Sequence, residues 1–511
     1  ELQRQLNLPL VAHNRYWSVK TTYAKQRGGH FDFFIGQNLS LPQSEIFWQF
    51  LLGHAKEEWG LIVYEQDWLN VQLLFTELLN TNLTAGQRWL TQMGNAALNH
   101  RLKIQYCMAL QRHGLQSLEI PAVTQVRVSN DYHLQTDQWK IGVTSHLASA
   151  LGLAPSKDTF WSSSEQPGNT YAKSEPYPTL QAAVATLSRG PVGPGDKIGG
   201  TNRTLLMRCC NEDGLVLKPS KPARAIDDQI LEMAYGDHTG VDGEVWTTYS
   251  RHDGLLYGVI FAANLTRNYS ITAQKAGFLS PLAPTFKAGH VFRADDPEGS
   301  VTPFDNTSTF TIDANNCETN GEPFCLFYFS PELEFKTHKV VLLGDLDKWV
   351  PMSEQRVVQI WRTAAGMAVS LLGQHGETIR FSFLYNGKLV TPSLTADHLG
   401  CATFPVTVDQ SWLFDMLEED FASNTTSTTK STTKPTTSTS TSTKTTTTTT
   451  TARTTLRPKV PDNYDCRFKP PPFTTPAPST DIPVRSTTPR NGAVARDLAS
   501  MLRVWAFGSL A

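Results

Sequence analysis

The sequence lacks the signatures of several common functional classes. No polybasic tract is present, and the net charge is −2 with both signs spread along 511 residues, which argues against a nucleic-acid partner. No Gly-x-Gly-x-x-Gly turn follows a predicted strand and no Gly-Lys-Ser/Thr phosphate loop occurs, which argues against a dinucleotide-binding fold. No Cys-x-x-Cys pair is matched by a second such pair or by paired histidines, so a zinc site is not indicated.

Cysteine is scarce as well. The chain has seven cysteines, an odd number that leaves at least one of them unpaired. Cys317 and Cys325 flank a predicted hairpin, and we predict a disulfide between them. Cys209 and Cys210 are adjacent in sequence, and we do not expect them to pair with each other.

The compartment is indicated by glycosylation signals rather than by cysteine. Acceptor sequences of the form Asn-x-Ser/Thr occur at Asn38, Asn82, Asn202, Asn264, Asn268, Asn306 and Asn424. Together with a Thr-rich segment near the end of the chain, they predict a secreted or cell-surface protein. Glu1 is not an initiator methionine and no signal peptide precedes it, so we expect the front of the natural chain to be missing or removed.

The chain is too long for one core, and its pattern changes several times. Strands alternate with helices at first, which predicts an α/β fold with a parallel sheet, open or closed, and we favour an incomplete (β/α)8 barrel. Short period-two runs follow and predict an all-β sandwich. The predicted divisions are the barrel at 1–235, the β-sandwich at 236–420, a mucin-like Thr/Ser/Pro stalk at 421–490 and a short apolar tail at 491–511. The tail is too short to span a bilayer, and it weakly resembles a glycolipid-anchor signal.

Two acidic segments close predicted strands. The apolar run Leu61 to Tyr64 stops at Glu65-Gln66-Asp67, and an amphipathic segment follows, so Asp67 is predicted at the carboxyl end of a buried strand. Arg127-Val-Ser-Asn-Asp131 closes a later strand in the same way. Each aspartate has a simpler alternative, because Asp is common as a helix N-cap and in turns. Two carboxylates that face each other across a cleft are the minimum for glycoside hydrolysis.

At this point the chain resembles the clan D glycosidases, in particular the raffinose synthase and alkaline α-galactosidase group. Further segments that resemble the group follow in the same order: Gln105-Tyr-Cys-Met108 with His113-Gly-Leu-Gln-Ser117, Gly152 to Ser162, and Gly195-Asp-Lys-Ile-Gly199. The resemblance implies a (β/α)8 barrel, with Asp67 as the nucleophile and Asp131 as the acid/base residue of a retaining reaction. The group has a lysine at the position of Glu65, so the sugar specificity of the group does not carry over.

A set of polar and aromatic residues near the two aspartates is predicted to bind the substrate, aromatic rings by stacking on the apolar face of a sugar. The set is Arg127, Glu65, Trp17, Tyr106, Tyr132, Asp158, Trp161 and Asp196. The alternative for each is an ordinary packing or ion-pair role. No metal or organic cofactor is needed for this chemistry. The sequence gives the histidines His13, His113 and His133 no shared position, so we interpret them as structural.

We therefore expect a secreted or cell-surface retaining glycoside hydrolase that resembles α-galactosidases and takes an oligosaccharide or glycoconjugate as its substrate. One alternative is a catalytically degenerate surface glycoprotein that binds carbohydrate on its mucin-like stalk. Another is a transglycosylase of the raffinose synthase type, which would use the same residues. A glycolipid anchor to the membrane is an alternative for the tail alone.

Overall fold

The computed structural model describes residues 8–236, 240–279, 285–362 and 366–406, together with Gln5 and Cys466. Apart from Cys466, the predicted stalk and tail lie outside these residues, and so does the predicted glycosylation site at Asn424. The helices are α1 (Glu45–Trp59), α2 (Leu69–Leu74), α3 (Glu77–Thr81), α4 (Ala85–Asn99), α5 (Gln111–Gln116), α6 (Thr144–Ala150), α7 (Pro178–Leu187), α8 (Arg203–Leu206) and α9 (Asp227–Tyr235). Short 3₁₀ turns lie at Lys25–Arg27, Ser117–Glu119 and Ala314–Asn316.

The strands fall into a first group before residue 160 and a second group after residue 220. The first group is β1 (Leu10–Asn14), β2 (Trp17–Ser18), β3 (Phe33–Ile35), β4 (Leu39–Pro42), β5 (Leu61–Gln66), β6 (Lys103–Tyr106), β7 (Val123–Arg127) and β8 (Ala154–Ser156). The second group is β9 (Arg224–Ala225), β10 (Glu244–His252), β11 (Leu255–Ala263), β12 (Tyr269–Thr272), β13 (Gly289–Arg293), β14 (Thr302–Phe304), β15 (Thr309–Ile312), β16 (Phe324–Glu334), β17 (Lys339–Gly344), β18 (Val357–Arg362), β19 (Met367–Leu372), β20 (Thr378–Arg380), β21 (Ser382–Tyr385), β22 (Lys388–Val390), β23 (Ser393–Thr395) and β24 (Cys401–Pro405).

Five strands of the first group form a parallel sheet in the order β1-β5-β6-β7-β8. Neighbours in this sheet are also consecutive along the chain within the parallel set, and every pair is parallel. After β8, one further parallel bridge joins Phe160 to Pro194. Helix α5 and the turn that follows it connect β6 to β7, so the short connection accommodates a parallel crossover. The fold is a mixed α/β fold, and within the described ranges β1 and β8 are not paired with each other.

Local sequence explains where helix α1 begins and ends. The Ser44 hydroxyl accepts the Ile46 N–H at 3.2 Å and caps the first turn. Gly60 ends the helix in a left-handed conformation with φ of 68°, which a glycine adopts without a Cβ penalty. Phe47 and Trp48 are fully buried, and they anchor the helix to the core.

Two predicted helices differ from the structure. The pattern from Val71 to Leu79 predicts one helix, but the chain forms α2 and α3 instead. The Asn80 side-chain amide donates to the carbonyls of Leu73 and Thr76 and so takes the place of regular helical bonds. The pattern from Trp139 to Leu151 also predicts a helix, but the helix begins only at Thr144. Trp139 is instead buried against Trp246 of the antiparallel region, with ring centroids 6.0 Å apart.

The second group of strands forms antiparallel sheets, as the period-two runs predicted. The largest contains β9, β10, β11, β13, β14, β16, β17, β21 and β22. Smaller sheets are β18-β19-β24, β12-β15 and β20-β23, and in the first group β2-β4-β3.

The predicted disulfide between Cys317 and Cys325 is confirmed, and a second one joins Cys401 to Cys466. Cys107, Cys209 and Cys210 are free thiols, so the adjacent pair is unlinked as predicted. In the described part of the chain, no helix has the length and hydropathy needed to cross a bilayer.

The parallel and antiparallel regions share one interface. Trp246 packs on Phe261 with ring centroids 4.6 Å apart, and both belong to the same buried cluster as the helices over the parallel sheet. The Glu322 carboxylate accepts the N–H groups of Thr179 and Leu180 at 2.9 and 2.7 Å. A residue of the antiparallel region thereby caps the first turn of α7.

Candidate active site

Asp67 lies at the carboxyl edge of the parallel sheet, directly after β5. Its side chain is mostly buried, and its N–H donates to the Asn14 carbonyl of the neighbouring strand at 2.8 Å. The N-cap position of α2 is Trp68, so the interpretation of Asp67 as the N-cap is wrong. Instead, Asp67 Oδ1 accepts the adjacent Trp68 N–H at 2.6 Å, which fixes the orientation of the carboxylate.

The second oxygen of Asp67 is held by His13. His13 Nε2 lies 2.9 Å from Asp67 Oδ2 and comes from the carboxyl end of β1. Burial, the largest single influence, raises the pKa of Asp67, but hydrogen bonds from the Cys107 thiol, His13 and the Trp68 N–H together with the charge of Arg127 outweigh it, so the pKa is lowered. Asp67 is therefore held in its ionised form, which a nucleophile requires.

Glu65 precedes Asp67 by two residues, so the two side chains lie on the same face of the sheet. Burial and the charge of Asp67 raise its pKa, against the opposing influence of His13, Cys107 and Arg127. Among the described residues, no Lys, Arg or His nitrogen lies within ion-pair distance of this carboxylate.

Arg127 ends β7 and connects two further acids. Its Nη1 lies 2.6 Å from Asp131 Oδ1 and 3.2 Å from Asp158 Oδ2. The guanidinium is about nine-tenths buried, and its Nε has no hydrogen-bond acceptor. Asp131 is exposed and precedes irregular chain, so the N-cap alternative for it is wrong. Because the charge of Arg127 also acts on Asp67 and Glu65, the guanidinium connects the two predicted catalytic segments.

Tyr132 and Asp158 form a supporting layer beside Arg127. The Tyr132 N–H donates to Asp158 Oδ2 at 2.8 Å, and the Tyr132 hydroxyl donates to Glu175 Oε2 at 2.6 Å. The backbone N–H of Trp161 donates to the same hydroxyl at 3.2 Å. Two contacts therefore orient the Asp158 carboxylate, the Tyr132 N–H and the Arg127 guanidinium. Glu175 is almost fully buried, and sequence reasoning missed it because it follows no regular strand.

The remaining predicted binding residues, Trp17, Tyr106 and Asp196, have contacts with residues other than Asp67 and Asp131. Trp17 is 8% exposed and packs edge-on against aromatic rings that include Trp48. Tyr106 is fully buried on the opposite face of β6 from Cys107, and its hydroxyl has no partner. The Asp196 carboxylate accepts both the N–H and the hydroxyl of Ser162, which ties two loops together. The structure therefore gives these three residues packing and loop-bracing contacts.

The backbone is strained next to the candidate nucleophile. Trp68 and Met108 both have left-handed conformations, with φ of 56° and 46°, and both follow the ends of neighbouring strands. The Asn70 N–H donates to the Met108 carbonyl at 3.0 Å and holds the two turns together. Strained non-glycine residues of this kind concentrate at functional sites. Trp68 is partly exposed, and its ring contacts Tyr16 edge-on at 5.6 Å, which offers an aromatic surface next to Asp67 in the chain.

Sequence reasoning missed His13, Cys107 and Trp68. His13 could have been found from its position, because it ends the strand that precedes β5 in the parallel set, and parallel strands end at one edge. His113, by contrast, is a buried structural residue: its Nδ1 accepts the Leu110 N–H at 2.9 Å. Within the described ranges, no three His, Cys, Asp or Glu side chains are grouped so that they could hold a metal ion.

No protein-family model and no curated protein matches the chain. Among solved structures, one described as a glycoside hydrolase aligns with 56% of this chain and 89% of its own, at 10% sequence identity and a TM-score of 0.20. A likeness at this TM-score supports no conclusion about fold or activity, so the side chains at the sheet edge must carry the functional argument.

Proposed function

We propose that the chain is a glycoside hydrolase that uses Asp67 as its nucleophile and Asp131 as its acid/base residue. The observation that carries the proposal is the state of Asp67: His13, Cys107 and Trp68 hold an ionised carboxylate at the edge of a parallel sheet where β7 also delivers Arg127 and Asp131. Two carboxylates at one such edge are the equipment of a retaining glycosidase.

In the proposed reaction Asp67 attacks the anomeric carbon while the bond to the leaving oxygen breaks. Asp131 donates its proton to that oxygen, and a covalent glycosyl-aspartate forms. Asp131 then takes a proton from water, the water oxygen bonds to the anomeric carbon, and the ester bond to Asp67 breaks with retention of configuration. Arg127 orients Asp131, and Asp158 restrains Arg127 from the other side.

The finer assignment rests on the sequence resemblance to the raffinose synthase and alkaline α-galactosidase group. By this resemblance, the parallel sheet is part of a (β/α)8 barrel within residues 1–235, and a β-sandwich follows. Transglycosylation to a sugar acceptor would use the same two aspartates. Hydrolysis is the simpler proposal because water needs no acceptor subsite.

A sugar-binding role without catalysis is the second candidate, and the open sheet favours it. Val11 of the edge strand β1 is 56% exposed, and within the described ranges the parallel strands do not close into a ring. A site open on this side would still bind a glycan, but it would exclude water less completely during reaction.

We also propose that the protein is secreted or lies at the cell surface. Two disulfides support this, because they persist in oxidising compartments. The predicted glycosylation sites within the described residues support it as well, since all of them are exposed: Asn38, Asn82, Asn202, Asn264, Asn268 and Asn306.

The test is turnover of aryl α-glycosides by the full chain, with Asp67→Asn as the paired variant. We expect Asp67→Asn to lose at least about 10³-fold in kcat/KM, because the variant cannot form the covalent intermediate. If the wild-type chain turns over no glycoside while glycan binding persists in both proteins, hydrolysis is rejected and the sugar-binding role is retained. Equal turnover by both proteins would reject Asp67 as the nucleophile.

A further inference from the structure

A polar row crosses the face of the parallel sheet that carries Asp67. The register pairs His13 with Glu65, Glu65 with Gln105 and Gln105 with Gln125, one residue from each of four neighbouring strands. Residues paired across a parallel sheet share a face, and residues two apart on one strand do so too. Asp67, Cys107 and Arg127 therefore form the next row toward the carboxyl edge.

The opposite face of the same strands is apolar and covered. Tyr64, Ile104 and Val126 are buried there in the main core, as a sheet face beneath helices requires. The row from His13 to Gln125 is at most partly buried, so it is a polar surface that solvent and ligands can reach.

Carboxylates dominate the charge at this edge. Glu65, Asp67, Asp131 and Asp158 outnumber the two guanidinium groups, Arg127 and Arg15, and the Arg15 group lies 5.2 Å from the Trp68 ring centroid. The imidazole of His13 lies beside Asp67, and the Lys157 ammonium donates to the carbonyls of Asp158 and Thr159. Arg127 makes its two ion pairs with Asp131 and Asp158, and His13 contacts Asp67. Glu65 is the acid left without a cation at contact distance. An anionic sugar would be repelled here, and a cationic one attracted.

One hydrogen-bond acceptor of the same row has no donor, and a second has only a weak one. The Gln125 side-chain oxygen is buried and has no donor, and Glu65 is contacted by a thiol but by no cation. A buried acceptor without a donor is unfavourable, so a ligand that supplies a donor here gains affinity. An ammonium group is the strongest such donor, because it also neutralises a carboxylate that is shielded from water.

We infer that Glu65 and the polar row beside it form a subsite for a protonated amine, so that the preferred substrates are glycosides of an unacetylated hexosamine. The inference rests on the proposed function, because it places the glycon of the proposed substrate against Asp67. Gln105 lies next to Glu65 in the row and Gln125 lies one strand further, and both offer amide groups to other hydroxyls of the same sugar.

Binding is measured first, because it does not depend on turnover. D-galactosamine and D-glucosamine are titrated calorimetrically into the wild-type full chain at about pH 6, where the amine is protonated. D-galactose, D-glucose, the two N-acetyl derivatives and D-galacturonate are titrated alongside. We expect the Kd of each amino sugar to be at least about 10-fold lower than that of its parent hexose, with the difference shrinking as salt is added.

The Glu65→Gln variant keeps the shape of the side chain and removes its charge, so it should abolish the advantage of the amino sugars. Glu57→Gln, at an exposed position on α1, is the matched control and should keep the advantage. Thermal unfolding of all three proteins verifies that they are folded. The inference is overturned if the parent hexoses bind the wild-type chain as tightly as the amino sugars, or if Glu65→Gln keeps the difference.

Turnover then separates this inference from the proposed function. Aryl α-glycosides of galactosamine and glucosamine are compared with those of the parent hexoses. If amino sugars bind selectively but no glycoside is turned over, the proposed hydrolase fails and the amine subsite stands. If only neutral glycosides are turned over, the hydrolase stands and the amine subsite is rejected.

Discussion

His13 Nε2 and Asp67 Oδ2 are 2.9 Å apart, although 53 residues separate them along the chain. The contact exists because β1 and β5 are parallel neighbours whose carboxyl ends meet. It removes one lone pair of Asp67 from solvent, and together with the Cys107 thiol and the Trp68 N–H it orients the carboxylate.

Replacement of His13 should move the acidic limb of the activity profile. Because the His13 hydrogen bond helps to lower the pKa of Asp67, His13→Ala should raise that pKa, and the carboxylate should be lost at a higher pH than in the wild type. We expect kcat/KM to fall on the acidic side by about 10-fold or more, with a smaller loss near neutrality. His13→Gln, which can still donate, should restore most of the profile. A uniform loss at every pH would indicate a structural effect instead.

The loss of rate on removal of Asp131 should depend on the leaving group of the substrate. Asp131→Ala abolishes the proposed proton donor, so aryl glycosides with strongly acidic phenols should keep most of their rate in the glycosylation step. Substrates with poor leaving groups should lose about 10² to 10⁴-fold. Asp158→Asn is the comparison, because Asp158 contacts Arg127 as well but has no proposed role in proton transfer. If both variants respond equally to the leaving group, Asp131 is not the acid.

Lys157 should make the stability of the chain depend on pH. It is 4% exposed, its Nζ donates to the carbonyls of Asp158 and Thr159, and burial lowers its pKa from 10.5 to about 7. Between these two values the unfolded chain binds more protons than the folded chain, so the free energy of unfolding rises with pH from about 7 to about 10.

The measurement is urea unfolding at several pH values between about 7 and 9. Lys157→Met should flatten the rise by about 1 kcal/mol per pH unit. Lys218 is buried elsewhere with a similarly lowered pKa of about 7, so Lys157→Met should leave the contribution of Lys218 in place. An unchanged slope in Lys157→Met would contradict the prediction.

Arg356 should be among the most sensitive positions of the antiparallel region. It is 1% exposed and pairs with Asp345 at 3.0 Å and with Glu377 at 2.5 Å, both of which are buried. Arg356→Met would leave two buried carboxylates without their cation, and we expect a loss of about 3 to 5 kcal/mol in the free energy of unfolding at pH 7. Arg380→Met, at an exposed pair with Asp347, should change it by less than about 1 kcal/mol.

The same variant should be less damaging in mild acid. Burial raises the pKa of Asp345 to about 6 even though Arg356 opposes the rise, so the folded chain binds more protons than the unfolded chain between about pH 4 and 6. Without Arg356 this pKa should rise further. The loss measured by urea unfolding should therefore be smaller at about pH 5 than at pH 7, and a larger loss at pH 5 would refute this account.

The parallel strands were predictable because each apolar run in the sequence stops abruptly at polar residues. Asp67 and Arg127 were predicted for this reason, and both lie at the sheet edge. Trp17 was proposed to stack on a sugar because its run also ends in aromatics, but four aromatic rings contact it in the core, so the side chain is buried. Sequence alone does not distinguish an aromatic residue that packs from one that faces a ligand.

His13 and Glu175 show what sequence patterns omit. His13 contacts Asp67 through strand register, and Glu175 meets the Tyr132 hydroxyl through the path of a loop, so neither contact has a local signature. The start of α6 was misplaced for the same reason, since Trp139 is held by a tryptophan more than 100 residues away. Such contacts depend on tertiary packing, which overrides local helix propensity.

Glu322 has a practical consequence for any attempt to exchange or excise parts of the chain. The Glu322 carboxylate caps the first turn of α7, which lies in the predicted barrel at 1–235. The predicted barrel therefore depends on a residue that lies 87 positions after its end. Cutting at residue 235 would expose Trp139, leave two amide N–H groups facing water and remove strand β10 from β9. We therefore expect the two regions to unfold together in one cooperative transition, and they should be kept together when the chain is engineered.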